Sequence, residues 1–150
     1  MKIKIGKMAP DFELPNQKGE SIRLSSFRGK KSVVLYFYPK DETAGCTAQA
    51  CSFRDRYEAF LEAGAQVIGV ISDSIESHKN FSQKYRLSFP IVADEGGKLR
   101  GCYGATTFGI LPGRVTFVID KRGIVRHIFS SPFRPKKHIE EALGILAAKK

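Results

Sequence analysis

Six consecutive residues of core type, Val33-Val34-Leu35-Tyr36-Phe37-Tyr38, run up to Pro39. A continuous β-branched and aromatic run of this length is a strand buried on both faces, at the centre of a sheet. Pro39 has no N–H for a ladder bond, so the strand stops there. A polar loop, Lys40-Asp41-Glu42, leads into a helix that starts near Thr43 or Gly45. Any fold for this chain must bury that strand and leave a helix start beyond its carboxyl end.

That helix start carries a thiol. Thr43 is a good N-cap type, which puts Cys46 at the third helical position. A thiol is a weak nucleophile until it ionises, and the unpaired N–H groups and dipole of a first helical turn stabilise the thiolate. Most free cysteines are small buried hydrophobes; the strand–Pro–loop–Thr-x-x-Cys context argues for reactivity here. Cys51 lies five residues further along the same helix. At about 100° and 1.5 Å per residue, the two Cα atoms are roughly 8–9 Å apart on nearly opposite faces. A disulfide needs about 7 Å or less. If these two cysteines react with each other, the helix must partly unwind. The plainer reading of Cys51 is a core-facing helix residue without a redox role.

Pro39-x-x-x-Thr43-x-x-Cys46 resembles the active-site motif of the peroxiredoxins. The run Tyr36 to Thr43, then Gly45-Cys46-Thr47 and Gln49-Ala50-Cys51, is similar to their bacterioferritin comigratory protein (peroxiredoxin Q) branch. The likeness extends from Ala9-Pro10-Asp11-Phe12 to the last helix. Ala44 departs from it, since that branch usually has proline there; the expected effect is a slightly looser loop with the chemistry intact.

The resemblance implies a thiol-dependent peroxidase acting on hydrogen peroxide and organic hydroperoxides. Cys46 is the peroxidatic residue, oxidised to sulfenic acid, and Cys51 is the resolving residue that closes an intramolecular disulfide. Thioredoxin or a glutaredoxin-like dithiol is the implied reductant. No metal and no organic cofactor are required. Thr43 offers its hydroxyl to the thiolate or the peroxide, Pro39 shields the thiolate, and Gly45 joins them at the substrate. Gly113-Arg114-Val115-Thr116-Phe117 matches the setting of the family's arginine. A guanidinium there lowers the Cys46 pKa and stabilises charge on the leaving oxygen. From the residues alone, Arg114 reads as a surface arginine at a strand start.

The rest of the chain supplies an α/β frame. Asp11–Leu14 and Ser21–Leu24 alternate around the turn residues 15–20, giving an N-terminal β-hairpin. Phe53, Tyr57, Phe60 and Leu61 form one stripe on a single helix after Cys46, which Gly64 ends. Gln66–Ile71 is a strand. One of Ser72, Asp73 and Ser74 caps a helix running to about Tyr85. Phe89–Asp94 is a short strand that Pro90 makes either marginal or an edge strand. A brief helix spans Lys98–Tyr103. Val115–Asp120 and Ile124–Phe129 form a hairpin around Lys121-Arg122-Gly123, and a last helix covers Pro135–Ala148. A β-α-β crossover gives parallel strands and the late hairpin antiparallel ones. The expectation is a thioredoxin-like fold: a mixed central sheet flanked by helices, in one domain over residues 1–150.

Composition narrows the function. The formal net charge is +10, from 25 basic and 15 acidic residues, but the basic residues are scattered and no zinc-finger or RNP-type signature accompanies them. That argues against specific nucleic-acid binding and for a solvated basic surface. No apolar run reaches membrane-span length. The first seven residues lack an apolar secretory core, so a cytoplasmic protein is expected, and a monomer is what the resemblance leans towards. Three cysteines are too few and too odd for a secreted disulfide scaffold. Cys102 reads as buried, and His78, His127 and His138 as surface or strand residues without metal-ligand spacing. Two alternatives compete with the peroxidase. A protein disulfide oxidoreductase usually uses Cys-x-x-Cys, whereas the spacing here is Cys-x-x-x-x-Cys. A basic binding module lacks a basic cluster.

Overall fold

The computed structural model describes residues 3–38, 44–71, 74–107, 111–112, 114–130 and 137–148; at 44–46, 106–107, 111–112 and 147–148 it describes the backbone alone. Its centre is a five-stranded sheet. In chain order the strands are β3 (Ser32–Phe37), β4 (Ala65–Ile71), β5 (Ile91–Ala93), β8 (Val115–Ile119) and β9 (Val125–Ser130), and their spatial order is β5-β4-β3-β8-β9. β3, β4 and β5 are parallel; β8 runs antiparallel to β3, and β9 antiparallel to β8. The apolar run therefore does occupy the middle, and the strand containing Ile91 lies at an edge beside Pro90.

β3 divides the core by its pleat. Val34, Tyr36 and Tyr38 face one side, and Val33, Leu35 and Phe37 the other, all buried. Four helices cover the first side: α1 (Ala44–Asp55), α2 (Tyr57–Glu62), α3 (Ile75–Tyr85) and α5 (Lys137–Ala148) contribute Phe53, Phe60, Phe81 and Ile139. The second side is closed by α4 (Lys98–Tyr103) and by the N-terminal segment with its hairpin, β1 (Glu13–Pro15) and β2 (Ser21–Arg23). Gly69 on β4 makes room for this packing: a Cβ there would lie 2.9 Å from the Tyr36 ring and hydroxyl. Tyr36 is itself stacked on Phe53 at 4.4 Å between centroids.

Gln17, in the hairpin turn, fastens that hairpin to the sheet edge. Its amide donates to the Phe89 carbonyl (3.0 Å) and accepts from Ile91 N–H (2.9 Å), so one side chain satisfies two backbone groups of an edge strand. Two further two-residue strands, β6 (Thr106–Thr107) and β7 (Leu111–Pro112), pair with each other ahead of β8.

Several expectations need correction. The helix expected to run through Leu61 is broken at Arg56 (φ −106°, ψ 8°). Phe53 and Phe60 still meet across the break, with centroids 5.5 Å apart, but Leu61 is 41% exposed rather than buried. Of the three candidate caps for α3, Ser74 is the one used, its Oγ accepting from Ser77 N–H at 3.1 Å. Leu24, expected as the last residue of the second hairpin strand, instead opens a short 3-10 turn, Leu24–Phe27. Among the described residues no helix is long and apolar enough to cross a membrane.

Candidate active site

α1 begins beyond the carboxyl end of β3, where ligands bind in open sheets with parallel strands. Its backbone includes Gly45, Cys46 and Cys51 in one continuous helix. Cys51 is half-buried and in no disulfide. The helical backbone between the two cysteines keeps their Cα atoms about 8–9 Å apart, beyond disulfide reach. Pro39 and Thr43 lie outside the described residues, and so does the expected N-cap; of Cys46 and Gly45 the backbone alone is described.

Arg114 sits at the same edge of the sheet. The β3–β8 register pairs Phe37 with Val115, so Arg114 stands one step further on, beside Tyr38. It is 5% exposed, against the surface position that the sequence alone favours. Its Nη1 donates to Gln49 Oε1 at 2.5 Å. Gln49 is fully buried and lies three residues after Cys46 on α1, hence on the same helical face. The partner is neutral, so this bond orients the guanidinium without cancelling its charge. Gln49 Nε2 has no hydrogen-bond partner among the described residues. The sequence reading missed Gln49 as a site residue; the available signal was a polar side chain one turn from the cysteine in an otherwise apolar stripe.

The far end of α1 is pinned. Arg54 Nη1 donates to the Tyr85 carbonyl (2.7 Å) at the end of α3, and Arg54 Nε to Asp55 (2.9 Å). The bond to Asp55 holds the guanidinium above its usual pKa, against burial, and the Cys51 sulfur adds to that in the same direction.

The remaining candidates fall elsewhere. Cys102 is exposed, not buried, because Leu99, Arg100 and Tyr103 take the inward face of α4. His78 and His138 are fully buried rather than at the surface. His138 Nδ1 lies 2.7 Å from Thr116 Oγ1, and its ring meets Phe129 edge-on at 4.7 Å, so it fastens α5 to β8. His127 lies partly buried on β9, as a strand residue. Among the described residues no group of three or more His, Cys, Asp or Glu side chains is placed to hold a metal ion.

The sequence and the fold are similar to those of known proteins. The AhpC/TSA family profile matches residues 5–128. The chain is 52% identical to the chloroplastic peroxiredoxin Q of Triticum aestivum over 147 residues, covering 97% of this chain and 67% of that protein. The peroxidoxin BcpB of Mycobacterium tuberculosis superposes with a TM-score of 0.91 at 36% identity, covering 99% of each chain. The bacterioferritin comigratory protein of Xanthomonas campestris, studied for alkyl peroxide reduction, superposes at 0.84 with 30% identity, covering 92% of this chain and 91% of that one. The family profile over residues 5–128, the 52% identity to a peroxiredoxin Q and the superposition on BcpB make this chain a peroxidase of the AhpC/TSA family with a thioredoxin-like fold, in the peroxiredoxin Q branch.

Proposed function

We propose that Cys46 is the peroxidatic residue of a two-cysteine cycle in which Cys51 resolves. The observation that carries this reading is the buried Arg114, hydrogen-bonded to Gln49 one turn from Cys46 on the helix that also holds Cys51. A buried cation beside a first-turn thiol favours the thiolate. The thiolate attacks one peroxide oxygen, the O–O bond breaks, and the leaving oxygen takes a proton to depart as water or an alcohol. Arg114 stabilises the charge that grows on that oxygen. Cys46 becomes a sulfenic acid. Cys51 then attacks its sulfur, water leaves, and a disulfide forms. An external thioredoxin-like dithiol returns both cysteines to thiols by exchange.

In this reading Thr43 hydrogen-bonds the thiolate or peroxide, and Pro39 and Gly45 shape the substrate pocket. α1 unwinds between Cys46 and Cys51 during resolution, because the helical separation exceeds disulfide reach. Hydrogen peroxide and small organic hydroperoxides are the substrates, in keeping with the alkyl peroxide reduction studied in the Xanthomonas relative. Residues 1–150 act as one domain and as a monomer. The compartment does not follow from the relatives: the wheat protein is named for the chloroplast, which lends no support to the cytoplasmic expectation.

Peroxide consumption with a dithiol reductant tests the assignment. Cys46→Ser should abolish it. Cys51→Ser should allow one turnover and leave a sulfenic acid at Cys46. Full activity in Cys46→Ser would overturn the reading.

A further inference from the structure

Arg100 is a second buried cation at the same edge of the sheet. It lies on α4 and is 4% exposed. Its guanidinium reaches two backbone carbonyls at once: Nη2 donates to Tyr38 O at 2.5 Å and Nη1 to Ala105 O at 3.0 Å. Its Cζ lies 5.6 Å from the centroid of the Phe37 ring, the residue before Tyr38. A rigid planar fork of this kind fixes the distance between the groups it bridges.

Those two carbonyls lead to the two halves of the site. Tyr38 O belongs to the peptide bond with Pro39, and Tyr38 is the last described residue before α1, whose first turn includes Cys46. Ala105 precedes β6, from which the chain passes through β7 to Arg114. Arg100 therefore bridges the chain leaving β3 towards Cys46 and the chain that leads to Arg114. The fork is itself well seated. Asp94, 2% exposed, accepts from Leu99 N–H (3.0 Å) and Arg100 N–H (2.8 Å), and its own N–H donates to Ile71 O at the end of β4 (2.8 Å). Tyr103, on the same short helix, donates its hydroxyl to Pro10 O at 2.5 Å.

We propose that Arg100 is a positioning residue for the peroxidase reaction: its fork sets the spacing between the end of the chain that leaves β3 towards Cys46 and the chain that leads to Arg114, and so the alignment of peroxide between thiolate and guanidinium. This rests on the assignment of Cys46 as peroxidatic residue. Reaction with peroxide needs that alignment, whereas alkylation by iodoacetamide needs only the thiolate.

The test is the ratio of the two second-order rate constants at Cys46, measured from pH 5 to 9 in Arg100→Lys and Arg100→Gln. Each variant is assayed well below its own melting midpoint. The expected result is a fall of about tenfold or more in the peroxide-to-alkylation ratio in both variants, since neither side chain reproduces the charged two-carbonyl fork. Arg100→Lys, which keeps charge and stem, should fold at least as well as Arg100→Gln. Lower melting temperatures with an unchanged ratio would make Arg100 a residue that only holds the fold, and would overturn the proposal. Peroxide consumption that survives Cys46→Ser would instead remove the peroxidatic assignment, a failure visible in a different variant.

Discussion

The Arg114 guanidinium and the Gln49 amide meet at 2.5 Å with both side chains buried, one on the first residue before β8 and the other on α1. The pair links the carboxyl end of β3 to the helix that carries both Cys46 and Cys51. Gln49 lies between Cys46 and Cys51, so unwinding that segment must pull it away from Arg114. The Arg114–Gln49 bond lasts only while that part of the helix is formed.

Removing either partner should slow attack on peroxide. Arg114→Met is expected to lower kcat/KM for peroxide by roughly 10²–10³-fold, the usual loss for one donor at a developing charge. Gln49→Met keeps the volume and leaves Arg114 without this partner, and about a tenfold loss is expected. Because one acts through the other, the double variant should be little worse than Arg114→Met alone. Steady-state kinetics on the three proteins checks this; fully additive losses would mean that Gln49 does not act through Arg114.

Gly69→Ala should destabilise the protein without touching the chemistry. The added methyl would sit 2.9 Å from the Tyr36 ring, which is wedged against Tyr38 and Phe53 and has no room to retreat. Overpacking of this kind costs about 1–3 kcal/mol. Urea unfolding should show a lower midpoint with an unchanged slope.

The β8–β9 hairpin carries a pH-dependent contribution. Burial raises the pKa of the Asp120 carboxyl, but hydrogen bonds from Ile124 N–H, Arg126 Nε and Arg122 N–H outweigh it, and the pKa lies below its usual 3.8. The ionised form is favoured by folding, so this stabilisation is present above pH 3.8 and is lost as pH falls through the lower folded value. Asp120→Asn should cost about 1–3 kcal/mol at neutral pH, with the 2.6 Å bond to Arg126 as its main loss. The gap between variant and wild type should close as the pH of the unfolding measurement drops below 4.

Strand positions were legible in the sequence because the signal is local. Val33–Tyr38 is apolar without interruption and Val115–Ile119 nearly so, and both proved to be adjacent buried strands. The break at Arg56 was not legible, since no proline or glycine marks it and the apolar stripe continues across from Phe53 to Phe60. Buried cations escaped for a different reason. Nothing local distinguishes Arg100 or Arg114 from an exposed basic residue; their burial is set by carbonyl and amide partners distant in the chain. Cys102 failed in the opposite direction, because the inward face of so short a helix is already filled by its neighbours. Arg114 was reached through its family-like setting, and Gln49 only through the structure.

The central claim is the redox pairing on α1, and intact mass with peptide mapping tests it most directly. One equivalent of hydrogen peroxide is added to the reduced protein without any reductant. The expected product has lost two hydrogens, mapped to a bond between Cys46 and Cys51. A protein in which Cys46 stays unmodified would contradict it.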